Sequence, residues 1–149
     1  MSKSTVMAGM AVIAGLVVCV SVATAQVSVS VDITPPTGGS DYWLYNYEID
    51  NTEGTDWIYY LELDPVDMAT MTGSPNNWDD VFGDTSIGGY ASWSAPNNAN
   101  WLAVNNALDG FVIQSIYAPG SDYVAWGVYG DDDGTAGGDT TFTDGQVAG

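Results

Sequence analysis

The sequence predicts an all-β fold: an antiparallel β-sandwich of Ig-like or jelly-roll type with six to eight strands. Three observations predict it. Apolar residues recur at every second position in several separate runs, the period of a strand with one buried face. Clusters of Gly, Pro, Asn and Asp punctuate those runs as turns do. No stretch sustains a helical period; residues 97–108 place Trp101, Leu102, Val104 and Leu108 near helical spacing, but the asparagines among them oppose it.

Taken in order, Val27, Val29, Val31 and Ile33 form one apolar face against Ser28, Ser30 and Asp32, and Pro35-Pro36 ends the strand. In residues 42–50 the set Trp43, Tyr45, Tyr47 and Ile49 reads inward, with Asn46, Glu48 and Asp50 toward water. After a turn at residues 51–56 the pattern returns as Trp57, Tyr59, Leu61 and Leu63, so residues 42–64 are expected to form a two-stranded hairpin. Residues 65–89 are punctuated as loops. Short strands are expected at 90–94, 111–117, 123–129 and 141–147, separated by Ala118-Pro119-Gly120-Ser121 and by the Asp- and Gly-rich residues 130–139.

Residues 1–25 have the features of a signal peptide. Lys3 supplies the positive start, Val6 to Val22 is an apolar run, and Ala23-Thr24-Ala25 is a small-x-small cleavage site before Gln26. The run is at the lower limit for a bilayer span, and Val18 before Cys19 is a poor residue for lipoprotein processing. The expectation is therefore a single domain over residues 26–149, secreted or in the cell envelope, with no membrane span in the mature chain.

Charge excludes several function classes. The chain has 19 Asp and Glu, no His, and one basic residue, Lys3. Removal of the leader removes that residue, so no intrachain salt bridge can form. Nucleic acid binding rests on Lys and Arg neutralising phosphates and is excluded. Ser-His-Asp and Cys-His catalysis and zinc sites built on His and Cys lack their ligands and proton carriers. Paired-carboxylate glycoside hydrolysis remains chemically open, but nothing singles out a pair among so many acids. Carboxylate chemistry, oxygen-ligand metal binding and aromatic stacking are what the composition leaves.

A family resemblance rests on the run Tyr45-Asn46-Tyr47-Glu48-Ile49-Asp50-Asn51-Thr52, on Trp78 and the Trp93 segment, and on Gly110-Phe111-Val112-Ile113-Gln114-Ser115 with Pro119-Gly120. Together these residues resemble the β-sandwich domain of bacterial exported proteins of the PEP-CTERM-associated type. The resemblance implies a cell-envelope or extracellular-matrix protein. The sorting tail of that family, with its Pro-Glu-Pro and basic end, does not occur in the sequence, and the expectation is a released product or a fragment.

Two features are candidates for binding chemistry. Six Trp and nine Tyr are a heavy aromatic load. Trp43, Trp57 and Trp126 are expected in the core, whereas Trp78, between Asn77 and Asp79, and Trp101, after Asn100, lie in polar surroundings and are candidates for stacking on a sugar ring. Asp131, Asp133 and Asp139 in the glycine-rich stretch are candidate ligands for Ca²⁺, although Ala136 and Phe142 stand where a calcium loop needs Gly and Glu. A solvated acidic turn is the plainer reading of the same residues. The function expected is a non-catalytic, self-associating surface or matrix component. The alternative is a carbohydrate-binding module, calcium-assisted, with an extracellular polysaccharide as partner.

Overall fold

The computed structural model describes residues 26–66, 69–82, 89–120, 123–134 and 140–148, and the expected leader lies outside them. Among the described residues nine strands form: β1 (Ser28–Thr34), β2 (Trp43–Asp50), β3 (Trp57–Val66), β4 (Ala69–Gly73), β5 (Asp79–Phe82), β6 (Gly89–Ser94), β7 (Ala107–Ser115), β8 (Tyr123–Asp131) and β9 (Thr140–Ala148). They pair antiparallel in a four-stranded sheet of order β1-β2-β7-β4 and a five-stranded sheet of order β5-β6-β3-β8-β9. Between β6 and β7 the one helical feature described is a 3₁₀ turn, Asn98–Asn100, capped by the Asn97 side chain. No helix among the described residues is long and apolar enough to cross a membrane.

The expected antiparallel sandwich is therefore present, with two strands more than the seven runs read from the sequence. Both extra strands, β4 and β5, lie at sheet edges within the stretch read as loops. An edge strand of four or five residues needs only one partner and carries too few alternations to show a period.

The expected hairpin over residues 42–64 does not form. Strand β2 pairs with β1 and β7, and β3 belongs to the opposite sheet, between β6 and β8. Alternation identifies a half-buried strand but not its neighbour. The six residues from 51 to 56 can span up to about 20 Å, ample for the ~10 Å between packed sheets.

Asn51 fixes this crossing. Its side chain is fully buried and its Nδ2 donates to the carbonyls of Asp56 (2.8 Å), Ala103 (3.2 Å) and Leu102 (3.4 Å). Its own N–H donates to Asn106 O at 2.9 Å, and its carbonyl accepts from Asn105 N at 3.0 Å. One residue thereby ties the β2–β3 crossing to the β6–β7 crossing, beside the isolated bridge between Ile58 and Leu102. Asn51 Oδ1 has no hydrogen-bond partner and lies so close to Gly54 that a Cβ there would overlap it.

The core lies between the sheets. Tyr45, Tyr47, Ile49, Phe111 and Ile113 face Leu61, Leu63, Trp93, Trp126 and Val128. Phe111 packs edge-on to Trp78 and Trp93, with ring centroids 5.2 and 5.5 Å away. Of the tryptophans expected in the core, Trp126 is buried, but Trp43 and Trp57 are only half-buried. In β3 the register on β8 shifts between Ile58 and Tyr60. An extra residue flips the alternation, so Ile58 rather than Trp57 or Tyr59 joins Leu61 and Leu63 in the core.

Candidate functional site

The structure separates the two aromatic candidates. Trp78 is 4% exposed, its ring set against Phe111 and its Nε1 donating to Asn100 O at 3.1 Å. No ring face is left for a sugar, so the polar neighbours of Trp78 in sequence misplace it: Asn76, Asn77, Asp79 and Asp80 are exposed while the indole turns inward. A left-handed backbone at Asn77 (φ 65°) accompanies that reversal. Trp101 is half-buried, tilted against Tyr59 with centroids 5.0 Å apart, and its Nε1 donates to Ala95 O at 3.2 Å. Trp78 and Trp101 therefore do not make one platform.

Asp131 ends β8, is 3% exposed, and accepts from Asp133 N at 3.2 Å through Oδ1. Carboxylate oxygens of Asp131, Asp132 and Asp133 lie within 4.8 Å of one another, and the Trp57 ring lies against the turn at Gly134. These three residues offer oxygen ligands, about half of the six to eight that Ca²⁺ takes. Asp139, the third expected ligand, lies outside the described residues. Among the described residues the cluster also includes Asp132, which the sequence reading did not name as a ligand.

Two further surfaces emerge from the pairing. The first is the free edge of β1. Its residues alternate as expected, with Val29 buried and Ser28, Ser30, Asp32 and Thr34 exposed, and among the described residues only β2 pairs with it.

The second is the outer face of the five-stranded sheet. Pairing sets Glu62 opposite Gly127 and Gly127 opposite Asp144, while Tyr60, Tyr129 and Phe142 form the adjacent row. The aromatic row is continuous: Tyr60 meets Tyr129 edge-on at 5.4 Å and Tyr129 meets Phe142 at 4.9 Å. A shallow groove of about 200 Å³ opens between the two rows, with Asp64 at its end. Tyr60 donates its hydroxyl to Glu62 Oε2 at 3.0 Å, and burial, with Glu62 adding to it, raises the phenol above its ordinary value. Sequence reasoning missed this groove. Phe142 was detectable as an aromatic residue on the polar parity of its strand, but the approach of Glu62 to Asp144 depends on a register that no local pattern carries.

No protein-family model and no curated protein matches the chain. Among solved structures it is similar to an uncharacterized protein from Nocardia farcinica with an immunoglobulin-like fold, at 12% identity and a TM-score of 0.52, over 76% of this chain and 81% of that one. It is also similar to the cohesin module of a family 33 glycoside hydrolase from Clostridium perfringens, at 12% identity and a TM-score of 0.48, over 84% of this chain and 98% of that one. A third likeness, at 8% identity and a TM-score of 0.45, is to the major pilin subunit of Bacillus cereus, over 83% of this chain and 40% of that one. At these identities the likeness concerns the fold, an Ig-like β-sandwich.

Proposed function

We propose that the protein is an exported, non-catalytic component of a cell surface or extracellular matrix that works by association, with the β1 edge as the self-associating element. The observation that carries this reading is a seven-residue edge strand with one apolar face, paired among the described residues on one side alone, a template for pairing with a second chain. The leader-like residues 1–25 and the resemblance to exported β-sandwich proteins support export, and the lack of any His or mature-chain base supports a role without turnover. Charge sets the condition for assembly. Two copies bring 19 carboxylates each to the contact, so pairing is weak at low salt and strengthens as salt screens the repulsion. Asp32, exposed on the same strand, blunts the edge further. A carbohydrate-binding role retains only Trp101 of its two expected platforms.

The test is light scattering of the purified protein across a salt series. Concentration-dependent association that grows with NaCl and strengthens in Asp32→Asn supports the reading. A Ser30→Cys variant, whose thiol would sit exposed on β1, should then form disulfide-linked dimers under the same conditions. A strict monomer at about 1 mM protein in about 0.5 M NaCl, where the Debye length falls below about 5 Å, overturns it.

A further inference from the structure

We propose that the outer face of the five-stranded sheet is a recognition site for a cationic side chain, lysine or arginine, presented by a basic protein partner. The proposal rests on the reading of the chain as an association module but not on the β1 edge.

The geometry begins with Gly127. It stands between Glu62 and Asp144 in one row across three strands, and strands about 4.8 Å apart put those two carboxylate-bearing positions about 10 Å from each other. With no side chain at Gly127, the floor between them is backbone, itself buried. Phe142 leans over that floor, so that a Cβ at position 127 would come within 2.7 Å of its Cε2. Any larger residue there would displace the ring or fill the slot. The result is a slot with a carboxylate on each side, an aromatic wall of Tyr129 and Phe142, and a third carboxylate, Asp64, at its end. Phe142 is 56% exposed and Tyr129 37%, so the wall presents ring surface to whatever enters.

Charge complementarity names the occupant. Residues 4–149 contain no Lys, Arg or His, so none of them can pair with Glu62, Asp64 or Asp144, whereas a cationic group on a partner can. A second copy of the mature chain has none to give. A bare divalent cation would want oxygen ligands on every side, and half of this slot is ring surface. An organic cation uses both halves: ammonium or guanidinium hydrogens bond the carboxylates, and the charge lies over the aromatic faces. Tyr60 donates to one oxygen of Glu62, which orders that carboxylate, and a carboxylate can accept further hydrogen bonds.

The experiment uses the purified protein and two labelled peptides that differ only in charge: a Gly-Ser-spaced peptide carrying two arginines, and the same peptide with citrulline in their place. Binding is read by fluorescence anisotropy at about physiological salt, where exposed charges far from the slot are largely screened. The arginine peptide should bind about tenfold tighter than its citrulline twin. Phe142→Ser, which alters no charge, and Glu62→Gln/Asp144→Asn should each weaken it about fivefold or more. Glu48→Gln/Asp109→Asn removes the same charge from exposed positions on the other sheet, away from the β1 edge, and should change affinity less than about twofold. As a readout independent of any variant's folding, the peptide should shift the wild-type amide resonances of Gly127, Tyr129 and Phe142. Equal weakening in the two double variants would mean diffuse attraction to an acidic surface and would overturn the proposal. So would an unaffected Phe142→Ser, equal binding of the citrulline peptide, or a neutral oligosaccharide shifting the same amides more strongly. None of these outcomes touches the β1 edge, whose failure shows in light scattering alone.

Discussion

Replacing Asn51 tests whether one buried amide holds the crossing between the sheets. In Asn51→Ala the donations to Asp56 O and Ala103 O are lost, whereas Leu102 O keeps the Ile58 N–H as a partner. Each lost bond is worth about 1 kcal/mol, and a buried carbonyl left unpaired adds about as much again. Removing Asn51 Oδ1, which has no partner, returns part of this. The net expectation is a loss of about 2 kcal/mol, or roughly 8 °C in Tm for a domain of this size. Asn51→Asp keeps the shape but turns an acceptor toward three carbonyl oxygens, and no residue from 4 to 149 is basic to compensate it. That change should cost about 4 kcal/mol or more at neutral pH.

Urea unfolding followed by tryptophan fluorescence gives both values. Gly54→Ala supplies a third, because its Cβ would overlap Asn51 Oδ1 and force the amide off its carbonyls. In the Asn51→Ala background that overlap is gone, so the double variant should lose clearly less than the sum of the two single losses. If Asn51→Asp is no worse than Asn51→Ala, or if Gly54→Ala and Asn51→Ala add, then the amide is not the organising contact.

Five other outcomes are expected. Burial raises the Tyr47 phenol above its ordinary value of 10.0, with Tyr45 adding to it. The folded state therefore holds a proton that the unfolded chain releases, and stability present below pH 10 is lost as pH rises above it; Tyr47→Phe should flatten that alkaline loss in pH-dependent melts. On the acid side, hydrogen bonds from the Thr52 hydroxyl and N–H lower the Asp50 carboxyl. That contribution is present at neutral pH and lost as pH falls below the ordinary carboxylate value, and Thr52→Ala should reduce the acid dependence. Asp132→Asn, which removes one of three clustered like charges, should raise stability by up to about 1 kcal/mol at low salt. At matched ionic strength CaCl₂ should stabilise the wild type more than NaCl only if the cluster binds the ion, and Asp131→Asn/Asp133→Asn should then abolish the gain. Trp78→Ala should cost about 4 kcal/mol in a urea melt, and a loss below about 1 kcal/mol would restore Trp78 to the surface.

What the sequence could reveal was governed by range. Period two made β1, β2, β7, β8 and β9 legible because in each a more buried face alternates with a more exposed one. It could not assign partners, since Tyr45 and Leu63 read alike although they lie on facing sheets. Nor could it follow the parity change at residues 58–60, because a bulge is a property of a pair of strands. Trp78 misled for a related reason. Flanking polarity describes the path of the backbone, whereas the indole follows the hydrophobic space beside Phe111. The acidic turn was visible as composition, but the groove combines residues from three strands and exists only once their register is set.

The same charge that limits the chemistry of this chain also separates its two proposed modes of association. With a single base, Lys3, in the sequence, inward-facing carbonyls take hydrogen bonds from amides, indoles and hydroxyls, as from Asn51, Trp93 and Tyr45. Its exposed carboxylates answer to the solvent and to partners. Pairing of two copies along β1 brings like charges together, so added salt strengthens it. Seating a cation between Glu62 and Asp144 brings opposite charges together, so added salt weakens it. The sign of the salt dependence, measured on the protein alone and then with a basic peptide, distinguishes edge assembly from groove recognition before any variant is made. A protein that associates with itself in high salt and with basic partners in low salt would be using both surfaces, each in the ionic range that its charge permits.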